Sequence, residues 1–568
     1  MNICSRFVGI LISSIVPMVV AEAAVGADRL VPSQYPTISA AVAASSNGDT
    51  ILVSPGVYNS GFSFGGKRLI VKSTAGSMVT VIDLSGPGGI GVSAQAGEPS
   101  GTRVEGFGIR AATTSAIAVG NGANLEVVSC RITDCVTSTT QGGAGLVVAS
   151  GVASVSGTVF QNLRTVGALA ASVAGGAASV ISGAIVSFSD CQFVNCSASQ
   201  QFEADVTQEG TWSTRGGAIR CSAATVSVVR TQFSGCSAVM ERTYASQCSN
   251  VGRTGACESY GGALAIEAGA SCTLDDCTFS ACIARAKNAV QWWSSQYDAS
   301  LQSQAAHAYG GAIAVVAGGS ISMSDGVFVD CSTSANMDSL WCGTSDSRIG
   351  GNSRKSFGGA VFVDGAGATS SVSSSRDQFL RGNCALGGNC NVSFNWGGSG
   401  MMVVPGGSQA TIANARFTNC ADRAVRLGAG TSVGLLATVF VDSISTGLYV
   451  DGNAPIISGS AFKSGAGSPV VVVNTVTGPT IVGTTFCANV TNAVSGPWVD
   501  GGGNVFWSAC PVCAADLNND GSVSGADLGV LIGSWGGCAA GCQSDLNQDG
   551  VVNGPDLGLL LGSWGPCN

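Results

Sequence analysis

The 568-residue chain has little charge: Asp, Glu, Lys and Arg make up only 10% of it, where an ordinary globular domain carries about 25%. Its surface must therefore be built largely from Ser, Thr, Asn and Gly. Lys plus Arg (25) falls short of Asp plus Glu (34), for a net charge of -9, which excludes the basic footprint of a nucleic-acid-binding protein. One histidine, His307, and no compact four-ligand cluster leave nothing for a structural zinc site to form on. Past the first residues no apolar run approaches the roughly 18 needed to span a bilayer, so no transmembrane anchor is expected in the mature chain. Disorder is also excluded, because it goes with high charge and low hydrophobicity and here 45% of residues are hydrophobic.

What is abundant is glycine (82) and cysteine (23). The N-terminus reads as an export signal over residues 1–27: Arg6 precedes FVGILISSIVPMVV, and small residues follow at Ala21-Glu22-Ala23 and Val25-Gly26-Ala27. Export would place the remaining cysteines in oxidising surroundings.

Two markers recur together. Phe-x-x-Cys stands at Phe193/Cys196, Phe233/Cys236, Phe279/Cys282, Phe328/Cys331 and Phe417/Cys420, with variants at Ile132/Cys135 and Phe379/Cys384. Phe160, Phe440, Phe462 and Phe486 keep the aromatic alone, and the last three intervals are 23, 22 and 24 residues. Gly-Gly-Ala or a close relative stands at 142–144, 216–218, 261–263, 310–312 and 358–360, with Gly397-Gly398-Ser399 as a sixth. Between the markers small apolar and polar residues alternate, which argues strands. A period near 22 holds about three short strands, and the solenoid that fits is a parallel β-helix. In it Cys196, Cys236, Cys282 and Cys331 would pile up about 4.8 Å apart, as coil-to-coil disulfides, as stacked thiols, or simply as small hydrophobes.

The paired GGAI and F-x-x-N/C markers resemble the repeats of polymorphic outer-membrane proteins, a right-handed β-helix family of adhesins. TISAAVAASSNGDTILVSPGVY (37–58) resembles the entry coil of pectin-lyase-like β-helices, where a short helix, here with Ile38, Ala41 and Val42 inward, caps the open end. The resemblance implies an all-β, right-handed solenoid of roughly fourteen coils over residues 28–508. No outer-membrane barrel sequence follows it.

The Phe intervals lengthen in mid-chain, and the extra residues fall at one place in the repeat: 197–215, 237–260, 283–309 and 332–357. These read as long loops leaving one edge of a rigid rod, where binding residues concentrate. Trp212, Trp292, Trp293 and Trp341 lie in them, and suit the apolar faces of sugar rings on a polysaccharide or surface glycan; the competing reading makes them the core of a satellite domain. Tyr260, Tyr309, Phe357 and Trp396, each before a GG marker, are expected to stack in register. Cys248, Cys257 and Cys342 read as loop staples.

For catalysis the strands offer little. Asp275-Asp276 is the one adjacent carboxylate pair in them, and it also suits a turn. His307 reads as structural. The polygalacturonase signatures (Asn-Thr-Asp, Gly-His-Gly, Arg-Ile-Lys) are missing. A polysaccharide lyase or glycoside hydrolase using loop groups such as Arg285 or Lys287 is the enzyme alternative to a binding protein.

The tail carries the sharpest motif. DLNNDGSVSGAD (516–527) and DLNQDGVVNGPD (545–556), offset by 29 residues, place oxygen-bearing side chains at loop positions 1, 3, 5, 9 and 12 and Gly at 6, as a calcium loop of the EF-hand type requires. Asp516, Asn518, Asp520, the Ser522 carbonyl, Ser524 and Asp527 would surround one Ca²⁺. Asp545, Asn547, Asp549, the Val551 carbonyl, Asn553 and Asp556 would surround a second. Each loop leads into an apolar stripe, Leu528, Leu531, Ile532 and Trp535 or Leu557, Leu560, Leu561 and Trp564, expected to pack on its counterpart. Residues 514–566, within a small all-α module over 509–568, resemble a type I dockerin, which implies calcium-dependent folding and docking onto a cohesin-like partner. Gly525-Ala526 and Gly554-Pro555 stand where such modules often carry partner recognition. Cys510, Cys513, Cys538, Cys542 and Cys567 frame the module, where disulfides would tie its ends.

Overall fold

A computed structural model describes residues 26–566, apart from 87, 168–171, 205–209, 245–254, 291–303, 340–352, 365–369, 388–392, 398, 405–407, 490–491, 511–513, 519–521 and 539–541. The export signal, Trp292, Trp293, Trp341, Asp520, Cys248, Cys342, Cys513 and Cys567 lie outside the described residues. Every strand pairing in residues 28–508 is parallel, and each strand pairs with the equivalent strand of the coil before and after. Residues 28–508 are a parallel β-helix.

Three sheets run the length of the rod, with 14, 16 and 15 strands; we call them faces I, II and III in the order a coil visits them. One coil passes from Ile219–Ser222 on face I to Thr225–Val229 on face II and Gln232–Ser234 on face III. Alternation does the sorting. In Ser271–Asp275 the residues Cys272 and Leu274 are buried while Ser271, Thr273 and Asp275 face solvent. At the N-terminal end Ile38–Ala44 forms the expected capping helix; Thr37 accepts a hydrogen bond from Ala40 N at 3.1 Å, and Ile38, Ala41 and Val42 are buried.

The corners between faces II and III, and past face III, are single residues with left-handed backbone: Asp190, Arg230, Asp276, Asp325 and Arg376 at the first, Asn195, Ala281, Asp330 and Arg381 at the second. One such residue turns a strand without interrupting the ladder. Asn, Asp and Ser recur there because they tolerate this conformation best. Arg230, Arg376 and Arg381 each reach back one coil to Asp190, Asp325 and Asp330, with Nε to Oδ1 distances of 2.7, 2.7 and 2.6 Å.

Eleven phenylalanines, from Phe160 to Phe506, form one continuous stack with centroids 4.6–5.2 Å apart and rings within 10° of parallel, buried along the rod except for the half-exposed Phe506 at its end. These centroid distances fall in the range of favourable ring stacking, and the coil spacing sets them. Cys196, Cys236, Cys282 and Cys331 form the expected column, as free buried thiols. Their sulfurs donate to the carbonyls of Phe160, Phe193, Phe233 and Phe279 one coil back, at 3.5–3.8 Å. Burial likewise pushes the Cys135 and Cys420 thiols, at the same place in their coils, up to about 12.

A second interior column, Cys191, Thr231 and Cys277, runs on through Gly326 to Asp377. Gly326 leaves the room: a Cβ there would lie 2.8 Å from Asp377 Oδ1. The Asp377 carboxyl accepts from Gly326 N at 2.7 Å and from the Ser374 hydroxyl at 2.6 Å, yet burial outweighs these bonds and pushes its pKa up to about 6. Because the folded value lies above the unfolded one, the neutral acid favours folding. That contribution is present at low pH and is lost as pH rises between roughly 4 and 6. Asp377→Asn is therefore expected to stabilise the rod by about 1–3 kcal/mol at pH 7.5 and to change it little at pH 4. Denaturant midpoints at the two pH values check this; destabilisation at pH 7.5 would refute it.

Candidate functional site

The four mid-chain excursions are not loops over most of their described length. Each leaves face III as a long strand and returns to face I as another. The outgoing strands, among them Ser197–Ala204, Ser237–Tyr244, Ile283–Val290 and Ser332–Ser339, belong to a seven-stranded parallel sheet. The returning strands, among them Gly210–Arg215, Gly255–Tyr260, Gln304–Tyr309 and Ser353–Phe357, belong to a six-stranded one. Together they form a two-layered fin along the corner between faces III and I. Its interior is small and polar enough for the layers to bond directly: Ser259 Oγ donates to Arg285 O at 2.5 Å, Asn288 Nδ2 to Ala305 O at 3.2 Å, and Thr333 and Ser356 share a hydrogen bond of 2.8 Å.

Trp212 belongs to that interior. It is 6% exposed, packs with Phe202, Met240 and Cys257, and has the Arg242 guanidinium 4.5 Å from its ring centroid. Its ring therefore offers no face to a sugar, and the satellite-core reading holds for this residue. Cys257 carries a buried free thiol and is not a staple.

Where the fin rejoins the rod, each coil carries its GG marker. Gly216, Gly261, Gly310 and Gly358 have φ of +63 to +65°, and a Cβ on Gly217, Gly262 or Gly311 would lie 2.0–2.1 Å from the next coil's glycine carbonyl. Just before them Tyr260 and Tyr309 stack at 4.8 Å, and Tyr309 meets Phe357 at 6.1 Å and Phe362 of face I at 4.6 Å. Trp396 is out of this column: it pairs with Ser356, and Gly397 pairs with Phe357. Beside the aromatics lies a charged cluster that the sequence reading missed. Glu267 of face I, with its side chain 5% exposed, is held by Arg215 and by Arg220, whose Nε lies at 2.6 Å. Tyr260 donates to Glu258 Oε2 at 2.9 Å, and His307 Nδ1 lies 3.3 Å from Glu258 Oε1. Burial works to raise both glutamates, but Arg215 and Arg220 hold Glu267 below the ordinary range, and His307 and Tyr260 hold Glu258 below it. With Tyr309, Phe357, Phe362 and Met402 buried between fin and rod, this cluster fastens one to the other.

The enzyme candidates are not assembled into one centre. Asp275 ends a face II strand and Asp276 occupies the corner with φ of 51°, so both stay outside the coil. Arg285 and Lys287 lie on the outgoing fin strand, beyond the face III strand Thr278–Ser280, and Arg285 Nε is 3.5 Å from Glu241.

Among the described residues an open concavity lies on face II, the face that does not adjoin the fin. It is a trough of about 560 Å³ across five coils, lined by the outward residues of Ser271–Asp275, Ser320–Ser324, Ser371–Ser375, Gln409–Ala413 and Ser432–Leu436. Its exposed lining is two rows of hydroxyls and one amide: Ser271, Ser320, Ser371, Gln409 and Ser432 in one, Thr273, Ser322, Ser373 and Thr411 in the other. No lining residue is charged. Hydroxyls both donate and accept, so the rows present a repeating two-sided hydrogen-bond array. The signal was legible in three of the five coils as Ser-x-Thr or Ser-x-Ser at the coil period.

In the tail the helices Gly525–Gly533 and Gly554–Gly562 follow the two loops, the first opened by a capping box on Ser524/Asp527 and the second by Asp556 accepting from Asn553 N. Asp527 is fully buried and accepts from Leu517 N, Asn518 N and Ser524 N at 2.8, 3.1 and 2.8 Å. Asp556 accepts from Asn547 N and Asn553 N, and Asp545 from Asp549 N and Gly550 N. Each loop is thus wrapped round its position-12 carboxylate. Among the described residues no three acidic, His or Cys side chains stand close enough to hold a metal unaided; loops of this type complete the sphere with amide and carbonyl oxygens, which Asn518, Asn547, Asn553, Ser522 and Val551 supply. The residues fit calcium on that count. The stripes pack only in part: Leu531 and Leu560 are buried, while Ile532, Trp535, Leu561 and Trp564 are 51–56% exposed. Nine-residue helices round so small a core cannot bury a whole stripe. Cys538 pairs with Cys542 inside the module, but Cys510 pairs with Cys487 of the rod, so that bridge ties the module's start to the last coils instead of closing the module.

No family model and no curated protein matches the chain. Among solved structures, the catalytic unit of a thermostable GH87 α-1,3-glucanase from Streptomyces thermodiastaticus is 13% identical over 83% of this chain and 65% of its own, with a TM-score of 0.32. The A-module of a mannuronan C-5 epimerase from Azotobacter vinelandii is 12% identical over 84% and 94%, with a TM-score of 0.28. Pectin methylesterase from carrot is 12% identical over 46% and 85%, with a TM-score of 0.24. At such scores the fold assignment rests on this chain's own strand pairing.

Proposed function

We propose that the protein is an exported, non-catalytic rod that binds a polysaccharide or surface glycan in the face II trough and is attached to a cohesin-like partner by its calcium-dependent tail. The observation that carries the binding half is the trough itself: five consecutive coils each present at least one hydroxyl, four of them in register in each row, and repeated hydroxyl-to-hydroxyl hydrogen bonds are how a protein surface can hold a repeating sugar chain. The two disulfides among the described residues fit an extracellular setting, and no helix among those residues is long and apolar enough to cross a membrane. The attachment half is supported by the duplicated loops and by the matched exposed pairs Ile532/Leu561 and Trp535/Trp564.

Ser373→Trp, which fills the middle of the trough from an exposed position, is expected to weaken retention on a glycan matrix at least ten-fold, while a Trp at exposed Thr211 on the fin leaves it unchanged. Equal retention of both variants would move the site off face II. The catalytic reading has one observation in its favour, the carboxylates of Asp275 and Asp276 at the trough's edge. Release of unsaturated or reducing ends from a bound glycan, abolished in Asp275→Asn, would establish it.

A further inference from the structure

Resting on the reading of the trough as a glycan site, we infer that its ligand is a neutral, extended polysaccharide lying along the rod axis, and that polyuronates are excluded. The direction follows from the shape. The lining strands are short, but the polar rows run from coil to coil, the first over five coils and the second over four, and the spacing between coils, about 4.8 Å, is close to the length one pyranose ring spans in an extended chain. A chain laid along the axis meets a new hydrogen-bonding side chain, and in three coils a pair of hydroxyls, with each ring; one laid across it leaves the trough after a ring or two.

Exclusion of acid follows from charge. A uronate chain brings one carboxylate per ring; hydroxyls can donate to it, but its strongest partners are a cation or a row of N–H donors. The trough lining supplies neither, and the arginines along its edge are already engaged, Arg230 by Asp190 and Arg376 by Asp325. Asp275 accepts from the Ser324 hydroxyl at 2.6 Å, and with Asp276 it adds negative charge to that edge. A bound polyanion would face two fixed carboxylates, with like charges repelling at short range.

The test uses the full chain in affinity electrophoresis against xylan, mannan and a mixed-linkage β-glucan on one side and polygalacturonate and alginate on the other, at low and at high salt. Retention by at least one neutral glycan, insensitive to salt and reduced ten-fold or more in Ser373→Trp, is the expected result. The double variant Ser322→Lys, Ser373→Lys should gain salt-sensitive retention on polygalacturonate. Retention by polyuronates alone in the unaltered chain overturns the inference and leaves the glycan reading standing. Retention by neither class overturns the glycan reading and the inference with it.

Discussion

Phe279→Ala is expected to cost the rod about 3–5 kcal/mol, measured as a fall in the denaturant midpoint followed by circular dichroism. Phe279 is fully buried and lies 4.7 Å from Phe233 on one side and 4.7 Å from Phe328 on the other. Both neighbours sit on coils whose spacing is set by backbone ladders on three faces. The walls therefore cannot close on the hole, and the cavity is kept nearly whole. Phe279→Leu refills most of the volume and should recover more than half of the loss. In a solenoid each coil contacts only its neighbours, so faster amide exchange should be confined to the coils bearing Phe233, Phe279 and Phe328. A loss under about 1 kcal/mol would mean that the coils can approach one another, against the geometry of the stack.

Removing calcium is expected to abolish the helical signal of Gly525–Gly533 and Gly554–Gly562 while the strand signal of the rod stays. The module's buried core is six side chains: Ala515, Leu517, Val523, Leu531, Val552 and Leu560. So small a core does not hold two nine-residue helices by itself. Without an ion, Asp545, Asp549 and Asp556 crowd negative charge into one loop, and Asp516 and Asp527 do so in the other. Each ion at one hundred times its dissociation constant contributes about 2.7 kcal/mol. Titration with a chelator, followed by circular dichroism and Trp535/Trp564 fluorescence, reads the loss. Asp556→Ala should remove the second loop's share only, since Asp527 serves the other loop. Helical signal indifferent to chelator would remove calcium from the account.

Both effects concern features that were legible in the residues, and it is instructive which ones were not. The Phe and Cys columns could be read because a fixed side chain recurs at a fixed interval and must pile up if the backbone repeats. The fin strands were harder. In Ile283–Val290 the inward positions are Ala284, Ala286 and Asn288, so alternation is present but the contrast between its two sides is weak. The strands are held by pairing with Ser237–Tyr244 and Ser332–Ser339 in the adjacent coils, partners about 50 residues away that no local window contains.

The two readings of Trp212 could not be separated locally for the same reason: a tryptophan in a long polar insertion is shown to be core only when Met240 and Cys257 of the next coil close over it. Trp396 precedes its GG marker just as Phe357 does, but pairing across coils sets its register, not its distance from the glycines. Glu267 carries no local sign of importance; only the fin's return strand brings Arg215 to it, 52 residues away in the chain.

From the sequence alone came the coil, its period, the inward and outward sides of each strand and the duplicated loops of the tail, because all of these depend on neighbours within one repeat. The tertiary structure alone decided that the excursions build a second pair of sheets, that the aromatic corner is filled and not open, and that face II carries an accessible concavity. Those outcomes depend on which surfaces cover one another once coils are stacked, and coverage belongs to the assembled solid, not to any stretch of chain.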